Sequence, residues 1–376
     1  MRIADIRTHI VGEERNFFFV VIETDTGLVG VGEGGITWRE AAMAGFVEAL
    51  KPQLLGQDPL KNEHLWQLMY RCGFFPADRI GAAAISAIDI ALWDIKAQQF
   101  GVPLYQLFGG LVRDRVVCYP HISGDSAVEL VEAAKEKVAE GWQFVRFHLP
   151  SRGQQFEPRQ AIRDGVEQVA AIRQAVGPDV EIIIDVHTRL DPVDAIVLCR
   201  DLEPLRPYFV EDPIRCENPG SLARLAEKVH VPLAMGEQYA SKWEFREAIE
   251  NEWIDYARLD LCIVGGFTEA LKIRGWCETH SIRIAPHNPL GPVSTAACLH
   301  LDLATSNFGV QECARAPGSL LTELFPIQVS FEEGHLLPPT RPGLGITINE
   351  LAVSQYPALK GDCPQLSRLD GSFTNW

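Results

Sequence analysis

Ile182-Ile183-Ile184-Asp185, Tyr208-Phe209-Val210-Glu211, Leu233-Ala234-Met235-Gly236-Glu237, Tyr256-Ala257-Arg258-Leu259-Asp260, Ile282-Arg283-Ile284-Ala285-Pro286-His287 and Phe308-Gly309-Val310-Gln311-Glu312 are short apolar runs, each ending in an ionisable residue. Their last residues fall 26, 26, 23, 27 and 25 positions apart. A strand, a loop and a returning helix fill that length, and parallel strands buried on both faces read as continuous apolar runs. In a (β/α)₈ barrel every strand delivers its C-terminal end to one face, where such enzymes place their chemistry. The repeat therefore predicts that these titratable groups converge on one site.

Working outward from the six runs, Val116-Val117-Cys118-Tyr119 reads as barrel strand 1 and Gln143-Phe144-Val145-Arg146-Phe147-His148 as strand 2, with a helix around Val128–Glu140 between them. Helical patterns over Val193–Leu202, Ser221–Val229, Trp243–Asn251 and Thr268–Thr279 fill the later gaps. Upstream, Phe17 to Glu23, the turn Asp25-Thr26-Gly27 and Leu28 to Glu33 read as a β-meander. Gly81 to Lys96 has helical spacing and no proline, and Gly101-Val102-Pro103 ends it. Past Leu324 the rhythm changes and Pro and Gly rise. These boundaries predict a capping domain over 1–114, a barrel over 115–325 and a segment over 326–376 that returns to the cap.

The 376 residues suffice for one barrel and a smaller domain. A formal net charge of −16 argues against non-specific nucleic-acid or acidic-membrane binding. The N-terminal stretch alternates like a strand rather than a signal peptide, and no apolar stretch reaches the ~20 residues of a membrane span. Nine cysteines without a Cys-x-x-Cys pair suggest free core thiols and a cytoplasmic protein.

Asp185, Glu211 and Glu237 end successive strands. Each alone would read as a surface salt bridge or helix cap. Together, three such carboxylates repel unless a cation sits between them, and hard oxygen ligands suit Mg²⁺. His187 lies two residues beyond Asp185, so extended backbone would aim both the same way. Asp260 and His287 end neighbouring strands, and a carboxylate beside an imidazole fixes its tautomer and raises its basicity. Arg146 and His148 share a face and are candidates to grip substrate or a ligand carboxylate. Phe74 and Phe75 read as core more readily than as substrate contacts on a cap loop, and the loop Leu149–Pro158 as a surface loop or lid.

At these residues the chain resembles the mandelate racemase subgroup of the enolase superfamily, over residues 1 to about 350. The resemblance rests on Ala87 to Lys96, Val210-Glu211-Asp212-Pro213, Gly236-Glu237, Leu259-Asp260-Leu261, Gly265-Gly266-Phe267-Thr268-Glu269, Pro286-His287 and Pro342-Gly343-Leu344-Gly345, in that order. It implies a modified TIM barrel of the (β/α)₇β type, with an α+β cap built from the N-terminal segment and the C-terminal tail. It also implies magnesium on Asp185, Glu211 and Glu237, a general-base dyad of Asp260 and His287, and Glu312 hydrogen-bonded to a substrate carboxylate. Racemases and cycloisomerases of the subgroup carry Lys-x-Lys at the end of strand 2; here Arg146-Phe147-His148 stands there. Asp185-Val186-His187 looks like the acid-sugar dehydratases of the D-galactonate and D-mannonate types. The mannonate type also uses a tyrosine after strand 2, and none occurs here between Tyr119 and Tyr208.

The expected reaction is dehydration of an aldonate, such as galactonate or gluconate, to a 2-keto-3-deoxy acid. His287 would take the C2 proton, Mg²⁺ would stabilise the enediolate, and His187 would protonate the departing 3-hydroxyl. Arg146 and His148 would contact the substrate, and the protein is expected to be a homo-oligomer. The alternatives are a racemase, epimerase or cycloisomerase of a hydroxy or sugar acid, a barrel using Val264-Gly265-Gly266 as a phosphate loop, or an inactive family member that binds without turnover.

Overall fold

The computed structural model describes residues 1–361 and 363–376. The cap opens with β1 (Ile3–Gly12), β2 (Asn16–Thr24) and β3 (Val29–Gly34), an antiparallel meander in the order β1-β2-β3. Helices α1 (Glu40–Leu54) and α3 (Arg79–Phe100) pack against it, and α2 (Asn62–Arg71) packs on α3. Helix α3 starts where the Asp78 side chain accepts from the Gly81 N–H at 2.8 Å, and it ends at Gly101 in the left-handed region. It is buried along most of its length because the sheet covers one side and a barrel helix the other.

The barrel strands are β4 (Val116–Tyr119), β5 (Phe144–His148), β6 (Glu181–Asp185), β7 (Phe209–Glu211), β8 (Leu233–Met235), β9 (Tyr256–Ala257), β10 (Arg283–Ile284) and β11 (Gln311–Glu312). Between them run α4 (Ala127–Ala139), α5 (Pro158–Val176), α6 (Pro192–Leu202), α7 (Pro219–Ala226), α8 (Lys242–Glu250), α9 (Gly266–Thr279) and α10 (Pro292–Leu303). Strands β5 to β10 form one parallel sheet, and β11 pairs parallel with β4. Parallel bridges His121–Arg146 and Ile284–Phe308 close the ring, so the barrel is of the (β/α)₇β type. Tyr119, Phe144, Ile183, Phe209, Ala234, Tyr256, Ala285 and Val310, one from each strand or its edge, fill the lumen as a separate apolar core.

Two short pairs complete the chain, β12 (Phe331–Glu332) with β13 (His335–Leu336), and β14 (Leu366–Ser367) with β15 (Phe373–Thr374). Residues between them lie on the cap: Glu350 pairs with Arg7 and His9, Leu344 N donates to Asp94, and Leu359 N donates to Asn16. The last ten residues cross the barrel mouth, where Ser367 bonds the loop after β5 and Asn375 the loop after β6. All nine cysteines are free, and among the described residues no helix is long and apolar enough to cross a membrane.

One expectation from the sequence changes, and one alternative that the position after strand 6 already disfavoured is set aside. Phe74 and Phe75 meet edge-to-face at the surface, 91% and 80% exposed, because their loop extends past α2 beyond the cap core. Val264-Gly265-Gly266 is not a phosphate loop. Trp66 donates to the Gly265 carbonyl at 2.9 Å, and a Cβ on Gly266 would lie 2.4 Å from the Asp89 carboxylate, so the glycines serve close packing of cap on barrel.

Candidate active site

Strand side chains alternate, so the residue two beyond each lumen residue points inward again at the barrel mouth. That step runs from Tyr119 to His121, Phe144 to Arg146 and His148, Ile183 to Asp185, and Phe209 to Glu211. It continues from Tyr256 to Arg258 and Asp260, Ala285 to His287, and Val310 to Glu312. Glu237 breaks the rule, because the inward position after Ala234 is Gly236. Gly236 sits at φ +135°, which turns the chain so that Glu237 joins the mouth. His121, Arg146, His148, Glu237, His287 and Glu312 line a cavity of about 760 Å³, with Asp185, Glu211, Arg258 and Asp260 buried beside or beneath it.

Glu211, Asp212 and Glu237 each offer a carboxylate oxygen within 4.8 Å of the other two. Glu211 Oε2, Asp212 Oδ2 and Glu237 Oε2 are buried without a hydrogen-bond partner. Burial pushes Glu211 up to about 8, and burial with Glu237 and Glu211 pushes Asp212 well above the carboxylate range. Three buried acids with one orphaned oxygen apiece fit a hard divalent cation. Asp212 was not singled out from the sequence because alternation would aim it away from its neighbour Glu211. It leaves the strand at φ +40°, which lets both face the cluster. Asp185 lies on the paired position of the next strand, opposite Glu211. Its Oδ1 accepts from the His187 N–H at 2.7 Å, and its Oδ2 is held by Arg146 and, at 3.0 Å, by His148. Despite burial, Arg146 and His148 keep Asp185 well below the usual carboxylate range.

His287 Nδ1 lies 2.7 Å from Asp260 Oδ2, and its Nε2 lies 3.6 Å from Glu237. Burial lowers this imidazolium, but Glu237, Glu312 and Asp260 outweigh it and hold it at about 9. Asp260 is fully buried and its other oxygen accepts from the Cys262 N–H, so its orientation is fixed. His187 follows β6 and His287 follows β10, four strands apart in a ring of eight, so they approach the cavity from opposite sides.

Two further residues complete the floor. Arg258 Nη2 reaches Glu211 at 2.5 Å and Glu312 at 2.7 Å, while Nη1 donates to the carbonyls of Ala285 and Pro286. His121 Nε2 is 2.7 Å from Glu312 Oε1, and burial with Arg146 pushes the ring down to about 4. Both follow the two-residue rule and could have been found by it: Arg258 stands two before Asp260, and His121 two after Tyr119. From the cap, Arg15 enters the same cavity, and Arg315 joins it from the barrel side. Both guanidinium groups donate to the Pro289 carbonyl, at 3.2 and 2.9 Å.

Fold and site together define an enolase-type barrel with its cap. The N-terminal domain model of mandelate racemase / muconate lactonizing enzyme matches residues 5–109, and the enolase C-terminal domain-like model matches 129–352. The chain belongs to the mandelate racemase/muconate lactonizing enzyme family of the enolase superfamily. It is 37% identical to a D-galactonate dehydratase of Verminephrobacter eiseniae over 100% of both chains, and 38% identical to one of Ralstonia nicotianae over 96% of both. Among solved structures, an enolase from Pantoea ananatis with bound D-gluconate and Mg matches at a TM-score of 0.95 and 31% identity, covering 100% of this chain and 99% of that one.

Proposed function

We propose that the protein is an acid-sugar dehydratase that converts an aldonate, galactonate or gluconate in type, into a 2-keto-3-deoxy acid and water. The observation that carries the reading is a single cavity with an Asp260-held His287 and His187 on strands opposite each other, beside three orphaned carboxylate oxygens. Glu211, Glu237 and Asp212 would hold Mg²⁺, with Asp185 adjoining once Arg146 and His148 turn from it. When bound, the cation supplies positive charge against which the substrate carboxylate becomes more negative as its α-proton leaves. His287 removes the C2 proton. The released electron pair passes onto the substrate carboxylate and then returns to form the C2–C3 double bond as the C3–O bond breaks, and His187 protonates the departing hydroxyl to water. The resulting enol tautomerises to the keto acid. Glu312, backed by Arg258 and His121, borders the carboxylate end, and Arg15 and Arg315 offer donors to the far hydroxyls. His148 is tied to Asp185 and Arg146, which disfavours it as a racemase's second base. The relatives' names support the substrate class, and a cytoplasmic site of action follows from that metabolic role.

The test is a panel of aldonic and aldaric acids incubated with enzyme and Mg²⁺, read as keto-acid formation, with parallel reactions in D₂O. At least one aldonate should yield a keto acid only when Mg²⁺ is present. Deuterium exchange with epimerisation and no keto acid would replace the dehydratase by an epimerase.

A further inference from the structure

We propose that Trp376 is a positioning and specificity-determining residue, holding His187 in one tautomer and walling the cavity beside it. The inference rests on the reading of His187 as the proton donor. Its basis is the course of the last residues. Ser367 N donates to Gln154 O at 2.9 Å, and Phe156 N donates to Ser367 O at 3.0 Å, which lays the β14–β15 hairpin along the loop after β5. Asn375 is then gripped from both sides: its Nδ2 donates to Thr188 O at 2.6 Å, and its Oδ1 accepts from Arg215 Nη1 at 3.0 Å. His187 and Thr188 sit at φ +55° and +57°, a conformation that side chains rarely adopt without surrounding support. The Asn375 contact supplies that support at Thr188.

Beyond this anchor, Trp376 O lies 2.7 Å from His187 Nδ1. That main-chain oxygen has no hydrogen to give at neutral pH, so Nδ1 must carry one in either charge state of the ring. Nε2 is then the nitrogen left to serve a substrate. The indole meets the imidazole edge-on, with centroids 4.8 Å apart, and lines the cavity while remaining 49% exposed. With His187 as the donor to the departing hydroxyl, the free indole surface beside it would border substituents on the neighbouring carbons, which is how Trp376 would sort acids by configuration.

The test uses the full-length Mg²⁺-loaded enzyme with Trp376→Ala, Trp376→Phe, and a chain ending at Asn375. Three readouts are taken: keto-acid formation, C2 proton exchange with D₂O, and the ¹⁵N shifts of His187 assigned with His187→Asn. Ending the chain at Asn375 should lower kcat for dehydration roughly 10- to 100-fold while C2 exchange, served by His287, stays within about threefold. The His187 ¹⁵N pattern should pass from a single Nδ1–H form to a mixture. Trp376→Phe, which keeps the main-chain oxygen and a ring, should restore most of kcat. Trp376→Ala keeps the main-chain oxygen alone, and should retain the Nδ1–H form but change KM unequally among acids. Dehydration and exchange falling together, or kcat and the His187 pattern both unchanged on truncation, would overturn the proposal. If the wild type neither exchanges nor dehydrates any acid, the proposed function fails, and the ¹⁵N comparison still decides whether Trp376 holds His187.

Discussion

Arg258→Met removes the cation that bridges Glu211 and Glu312 at the floor of the site. Arg258 is fully buried, and its four contacts go to Glu211, Glu312 and the carbonyls of Ala285 and Pro286. Breaking a buried ion pair from one side costs about 3–5 kcal/mol, because the partner charge is left uncompensated. Two carboxylates share this guanidinium, so the loss should lie at the upper end, about 4–5 kcal/mol. With a urea m-value of about 3 kcal/mol/M, the midpoint at pH 7 should drop by more than about 1 M. Adding Glu312→Gln removes one stranded charge and should recover roughly 1–3 kcal/mol, making the double variant more stable than Arg258→Met. Arg258→Lys should fall between wild type and Met, since one ammonium cannot reach four acceptors in fork geometry. A loss under about 1 kcal/mol for Arg258→Met, or a double variant less stable than the single, would refute the claim that unpaired buried charge dominates here.

Asp260→Asn should lower kcat roughly 10²- to 10⁴-fold, because the amide cannot hold His287 Nδ1–H as the carboxylate does; a decrease under about threefold in steady-state kinetics would remove Asp260 from the base. Mg²⁺ at 100 times its Kd should stabilise the chelator-treated protein by about 2.7 kcal/mol in thermal denaturation, and Glu237→Gln and Asp212→Asn should each abolish that gain; retention of the gain in both would place the cation elsewhere. Asp89 gives a pH dependence away from the site. Burial lifts its carboxyl from the usual 3.8 to about 7, in spite of hydrogen bonds from Thr268 N and Oγ1. A raised pKa in the folded state means that the folded protein holds the extra proton. This contribution to stability is therefore complete below about pH 4 and lost as pH rises through about 7. Measured by urea unfolding across that range, the stability of wild type relative to Asp89→Asn should fall with rising pH, and a difference that is flat or rises would exclude a proton held on folded Asp89.

The barrel was legible in the sequence because its signal is local. An apolar run, a turn and an amphipathic helix repeat over Val116–Glu312, and the observed strands fall inside the predicted runs, save β6, which starts one residue earlier at Glu181. Several predicted strands were longer than those formed. The apolar run predicts strand 6 to Asp260, whereas β9 ends at Ala257, although Arg258 N still donates to Met235 O and Leu259 O still accepts from His287 N.

By itself, the sequence determined the fold class and the set of ionisable residues that reach the barrel mouth, since both depend on a period of two along strands and about 25 residues between them. Only the tertiary structure decided which of those groups share a neighbour. Asp212 joins Glu211 through a left-handed φ, Asp185 turns to Arg146 and His148, and Arg258 ties Glu211 to Glu312. It alone brought Trp376 against His187 across 189 positions of chain. Alternation is a property of regular backbone, and it is silent wherever the chain leaves the strand or where two distant segments meet.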